Sequence, residues 1–92
     1  MLVELAFRFV PKIIKNEGFK FIIEKKNKHK SQVVLEILLS NNSVFKAVGY
    51  DKIADYILQN DINNVFVFIE GNLFLSKKLN QIIIDINFIK KI

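Results

Sequence analysis

One window of helical periodicity stands alone in a chain that otherwise alternates. Tyr50, Ile53, Ala54, Ile57 and Leu58 fall at i, i+3, i+4, i+7 and i+8, one face of a helix of about three turns. Asp51 is placed to cap its first turn and Asn60 to end it. Elsewhere the period is two. Leu5, Phe7 and Phe9 share a face opposite Ala6 and Arg8, and Phe19, Phe21 and Ile23 repeat the pattern. Pro11, which cannot donate to a ladder, falls between these two strands at an edge or bend, and the NEG at 16–18 signals a turn. QVVLEILLS (32–40) and VFKAVGY (44–50) read as a hairpin around NNS. After the helix, NVFVFIE reads as a mostly buried strand. QIIIDINFI then places Ile82, Ile84, Ile86 and Phe88 against Asp85 and Asn87 on the other face.

Several strands, one helix and two further strands form the layout of an all-β, five-stranded Greek-key barrel with its helix between strands three and four, the oligonucleotide/oligosaccharide-binding (OB) fold. A two-layer α+β sandwich is the rival arrangement. A chain of 92 residues supports one core, so a single domain over 1–92 is expected. At 51% hydrophobic residues with nine Phe, the chain has enough apolar material to fold.

The same composition narrows the chemistry. With no Cys and His29 alone, a zinc site, a redox pair and a thiol nucleophile are excluded, and no serine triad assembles. No enzyme activity, cofactor or small-molecule substrate is expected. No apolar run reaches the roughly 18 residues of a membrane span, and the N-terminal stretch lacks the order of a signal peptide. The net charge of +5 and pI near 9.6 favour a polyanionic partner. Ile, Lys, Asn and Phe make up about half the chain, as an AT-rich coding genome would produce, so lysine abundance alone is weak testimony.

Two motifs sharpen this. Tyr50-Asp51-Lys52-Ile53-Ala54-Asp55 resembles the aromatic-Gly-Lys-Leu-Ala-Glu motif of bacterial and organellar single-stranded DNA-binding proteins, and Ile69-Glu70-Gly71 resembles their Tyr-Ile-Glu-Gly strand end, at the same spacing. Phe7-Arg8-Phe9 stands where the family carries Gly-Arg-Leu, so Arg8 keeps the cation. In character the chain is similar to the short, divergent members encoded in plastid genomes. The resemblance implies sequence-tolerant binding of single-stranded DNA in replication or repair, a tetrameric or dimeric homo-oligomer, and residence in a plastid or an AT-rich bacterium. The family's acidic C-terminal tail has no counterpart in the basic IKKI, so recruitment through such a tail is not expected.

Single strands are held by cations along the phosphates and by aromatic faces under the bases. Lys46, Val48 and Tyr50 share a strand face, and the resemblance puts a basic residue and a stacking aromatic at Lys46 and Tyr50. Tyr50 either stacks a base or packs on Ile53 and Ala54 to seat the helix. The family's second aromatic on this strand matches Val44, and a bulge would be needed to turn Phe45 to that face. Phe74 is a further stacking candidate, or a core or subunit contact. Lys25, Lys26, Lys28 and Lys30 in KKNKHK, with Lys77 and Lys78 in SKKLN, occupy the two loops that flank the binding face of this fold and are expected to line both its rims. His29 reads as a solvated loop residue, and Gly71 as the residue that ends or bends its strand where another backbone comes close. The alternatives are a structural or protein-interaction module of primosome-like kind on the same fold, and binding of single-stranded RNA.

Overall fold

The computed structural model describes residues 6–92 and consists of six strands and one helix: β1 (Ala6–Phe9), β2 (Lys12–Phe21), β3 (Ser31–Leu38), β4 (Val44–Tyr50), α1 (Lys52–Gln59), β5 (Val67–Ser76) and β6 (Gln81–Lys91). Leu5, expected in the first strand, lies outside the described residues. The strands form one sheet in the order β1-β5-β6-β4-β3-β2, antiparallel throughout except for the parallel β4/β6 pair. No helix among the described residues is long and apolar enough to cross a membrane.

Two features correct the expected five-stranded closed barrel. There are six strands, so the helix follows the fourth rather than the third: the runs on either side of Pro11 are separate strands, β1 and β2, both in the sheet. The ladder is also open, with β1 and β2 as its two ends. Those ends are consecutive in the chain, and the corner between them is tied to the approach to β5. The Val67 N–H donates to Pro11 O at 3.1 Å, and the Ile13 N–H to Val65 O at 2.8 Å.

NEG does not reverse the chain. It is a bulge inside β2, between Asn16 and Phe19, with Gly18 at φ 98°. Asn16 explains the difference, since its Oδ1 accepts from the Gly18 N–H at 2.8 Å while its Nδ2 donates to Ile62 O at 2.9 Å, fastening the bulge to the loop after α1. The expected strand continuation past Phe21 also fails: β2 ends there, and Phe21 and Ile23 are exposed. NNS does form the expected hairpin turn, with Asn42 at φ 66° and the Leu39 N–H donating to Ser43 O at 2.9 Å.

The core is aliphatic. Ile13, Leu35, Ile37, Ala47, Val67, Ile69, Ile84 and Ile86 come from the strands, and Ala54 and Ile57 of α1 close one end of it. Leu58, expected on the buried helix face, is exposed, because the helix presents only the Ala54/Ile57 side. On β6 the expected row breaks after Ile86. A register shift opposite Glu70 and Gly71 leaves Asn87 as the extra residue, so Ile89 is buried and Phe88 turns outward. At the same shift β5 comes against β6 so closely that a Cβ on Gly71 would lie 2.5 Å from Asp85 O. Gly71→Ala is therefore expected to destabilise the fold by about 1–3 kcal/mol, read as a lower urea midpoint at unchanged slope.

Candidate nucleic-acid interface

Strand β4 sorts its residues without interruption. Its pairing with β3 carries no register shift, so Phe45, Ala47 and Gly49 point to the core while Val44, Lys46, Val48 and Tyr50 point away. The bulge that would turn Phe45 outward is absent. Phe45 packs against the core and, with Phe7, Phe9, Leu39, Leu73 and Ile84, lines an apolar hollow of about 410 Å³ on the inner side. Phe45 does not share the face that holds Tyr50.

Cross-strand registers build the outer face in rows. Lys15, Glu36, Lys46, Ile83 and Phe74 form one, and Val34, Val48, Asp85 and Asn72 the next. Gln32 and Lys20 lie beside Tyr50 in a third. Val48 and Ile83, only 6% and 8% exposed, make the floor. Phe74 is 41% exposed at the far end of the first row.

Tyr50 is not a bare ring. His29 lies flat against it, with centroids 4.2 Å apart and planes 12° from parallel. The sequence signal for His29 was weak because the partner that orders it, Asp51, is distant in the chain. His29 Nδ1 sits 2.8 Å from Asp51 Oδ2, while Asp51 Oδ1 accepts from the backbone N–H groups of Lys30 at 2.8 Å and Ser31 at 3.3 Å. Asp51 thus stands at the N-cap position without capping, since its carboxylate is committed to the β2–β3 loop. The Lys30 N–H, then the His29 side chain, hold its pKa below the ordinary carboxylate range. Asn60 ends the helix as expected, its Nδ2 and N–H both donating to Tyr56 O.

The lysine loops lie at opposite ends of β4 rather than facing each other across it. The β2–β3 loop joins at the Tyr50 end, where Gln32 pairs with Tyr50. The β5–β6 turn, bearing Lys77 and Lys78, lies beyond Val44, about 20 Å away at 3.3 Å per strand residue. Lys25, Lys26, Lys28, Lys30, Lys77 and Lys78 are all exposed and make no ion pair among the described residues. Two cations on the sheet itself, Arg8 and Lys46, are paired. Lys46 Nζ lies 3.2 Å from Glu17 Oε2, and Arg8 Nε 3.7 Å from Glu70 Oε2. Such partly exposed pairs are worth about 0–1 kcal/mol, so an incoming phosphate can compete for the cation. Sequence reasoning passed over Lys15 and Lys20, whose outward phase was hidden by the two bulges of β2.

Burial, and then the charge of Asp85, raise the Tyr50 pKa, which keeps the phenol protonated. Asp85 is itself raised by burial, opposed by His29 and Lys28.

No family model and no curated protein matches the sequence. Solved structures do. The SSB domain of a protein from Synechococcus sp. aligns with a TM-score of 0.71 at 14% identity, over 91% of each chain. PriB from Ralstonia solanacearum aligns at 0.73 and 12% identity over 98% of each. The second OB-fold domain of replication protein A from Methanococcus maripaludis aligns at 0.68 and 11% identity, over 96% of this chain and 84% of the other. The chain has the OB-fold. At such identities the likeness speaks for architecture, and in this OB-fold the rows on β4, β5 and β6 are the open face beside the flanking loops.

The loop anchor is testable. Asp51→Ala is expected to lower the Tm at neutral pH, and the difference from the natural chain should shrink in acid. A carboxyl held below its ordinary value of 3.8 contributes fully above that value and loses its contribution as pH falls through the lowered one. Thermal unfolding followed by circular dichroism from neutral pH to about pH 2 checks this.

Proposed function

We propose that this OB-fold chain is a non-catalytic protein that binds single-stranded DNA with little regard to sequence and covers exposed strands in replication or repair. The observation that carries the reading is the Tyr50–His29 ring pair, set on the outer face at the foot of a loop bearing four exposed lysines. A base that joins this stack gains about 1–3 kcal/mol, and it needs no particular identity because every base has a π-face. Phosphates on either side meet Lys25, Lys26, Lys28 and Lys30 at one end of β4, and Lys77 and Lys78 at the other, with Phe74 as a second platform between the ends. Arg8 and Lys46 join once phosphate displaces Glu70 and Glu17. The motif resemblance at Tyr50–Asp55 and Ile69–Gly71, and neighbours that include an SSB domain and a replication protein A domain, support the same reading. We extend it to a single domain over 1–92 acting as a dimer or tetramer in a plastid or an AT-rich bacterium. Leu73, Leu75 and Ile82, exposed on the β5–β6 hairpin, are the apolar surface such an assembly would bury.

One observation favours a second reading. Arg8 and Lys46 are already paired with acids, and the chain has no Trp, as suits a protein-interaction module of primosome-like kind, with PriB among its structural neighbours. Two measurements separate the readings. For DNA binding, the log of affinity for labelled oligo-dT falls linearly with log salt, by about 0.7 per neutralised phosphate, and replacing Lys25, Lys26 and Lys28 by Ala flattens the slope by about 2. Flat salt dependence, or no binding at low salt, removes the DNA reading. Tyr50→Ala, assayed where circular dichroism reports a folded protein, is expected to weaken oligo-dT binding by about 1–3 kcal/mol. An affinity left unchanged would mean the ring only seats the helix. Competition by RNA oligomers in the same assay decides between DNA and RNA.

A further inference from the structure

A carboxylate in the middle of a surface meant for phosphates needs an account. Asp85 pairs in register with Val48 on one side and Asn72 on the other, which places it diagonally next to Tyr50 on the outer face. It is half-buried, and it has no hydrogen bond or ion pair among the described residues. Nothing in the fold requires a charge there. The outward position beside Val48 and Ile83 would accept a valine, which packs better and costs no desolvation. Neither Lys28 nor His29 forms an ion pair with it.

Its chemistry constrains a bound strand. A carboxylate repels phosphate, so the backbone of a strand stacked at Tyr50 follows the lysines of the loop, and the edge of the base turns towards the sheet. An ionised carboxylate only accepts hydrogen bonds. The edge that meets it must donate. At the 4-position cytosine offers its N4 amino group and thymine the O4 carbonyl, acceptor against acceptor, so the contact favours cytosine where Asp85 meets that position rather than the neighbouring N3, which in thymine carries a donor. Asn72, half-buried beside Asp85 and also without a hydrogen bond among the described residues, has an amide N–H for the neighbouring ring acceptor of cytosine.

We propose that Asp85, assisted by Asn72, reads the edge of the base stacked at Tyr50 and biases an otherwise sequence-tolerant site towards cytosine over thymine. The inference rests on the single-strand reading above and adds a specificity-determining pair to it. Partial burial of Asp85 strengthens the discrimination, since an unmatched acceptor there has little water to fall back on.

Labelled oligo-dC and oligo-dT of equal length, titrated at low salt and slightly alkaline pH, form the test. The natural chain is expected to bind oligo-dC about fivefold to tenfold more tightly, the lower end of what a base-edge contact discriminates. Asp85→Ala is expected to bring the ratio close to one while the protein stays folded by circular dichroism. Equal binding of both oligomers by the natural chain overturns the base-reading role and leaves single-strand binding standing. A preference that survives in Asp85→Ala, with both affinities raised by the same factor, also overturns it, because Asp85 then only repels. Failure to bind either oligomer brings down this inference and the parent reading together.

Discussion

The unbroken register of β4 is the constraint on which the rest depends. Paired antiparallel to β3 and parallel to β6, the strand has no freedom to slip, since a shift of one residue would exchange Ala47 and Gly49 in the core for Lys46 and Val48. The aliphatic interior therefore fixes the exterior. Because Ala47 must meet Ile84 and Leu35 inside, Lys46, Val48 and Tyr50 are delivered outside at a two-residue spacing, next to Ile83 and Asp85. The bulges, by contrast, lie on β2 and at the Glu70/Gly71 step of β5/β6, where the sheet has to bend around α1 and the corner at Pro11. The ladders that flank β4 on β3 and β6 stay in register, while the β2/β3 and β5/β6 ladders carry the irregularities.

On that face the charge is arranged in two tiers. Two of the strand cations, Arg8 and Lys46, are paired at rest with Glu70 and Glu17, while the loop lysines are exposed and without acidic partners among the described residues. The loops can therefore attract a polyanion at long range, whereas Lys46 and Arg8 become available only when a phosphate at contact distance displaces a carboxylate.

Much of this was legible in the residues, and the failures share one cause. The helix at 50–60, the outward row Lys46, Val48 and Tyr50, and the NNS hairpin follow from periods and turn chemistry that act within a few residues. The face of β6 did not follow. Alternation predicts Phe88 in line with Ile86, but a single extra residue at Asn87 reverses the phase, and that residue is selected by the approach of Gly71 on another strand. NEG looked like a turn because Asn and Gly are turn formers, and Gly18 does take a positive φ, yet the acceptor that fixes it as a bulge, Ile62 O, lies 46 positions from Asn16. The pairing of Lys46 with Glu17 and the stacking of His29 on Tyr50 are likewise long-range. Local rules gave the elements and the outward row. Non-local hydrogen bonds determined which of the remaining candidates meet.

Asp51 is where local strain and non-local contact trade against each other. Its backbone, at φ 53° and ψ −113°, turns β4 into α1 through a conformation suited to glycine, the residue that the resembling motif carries at this place. An aspartate there costs backbone strain that glycine would avoid. In return its carboxylate gathers the Lys30 and Ser31 N–H groups and the His29 ring, none of which a glycine could hold. The gain is order at one point of an otherwise solvated loop. His29 is held flat on Tyr50, so the two rings are ordered together without a ligand, and a partner that stacked on them would lose less conformational entropy on binding. A chain without tryptophan, whose single rings stack less strongly, has most to gain from such pre-organisation.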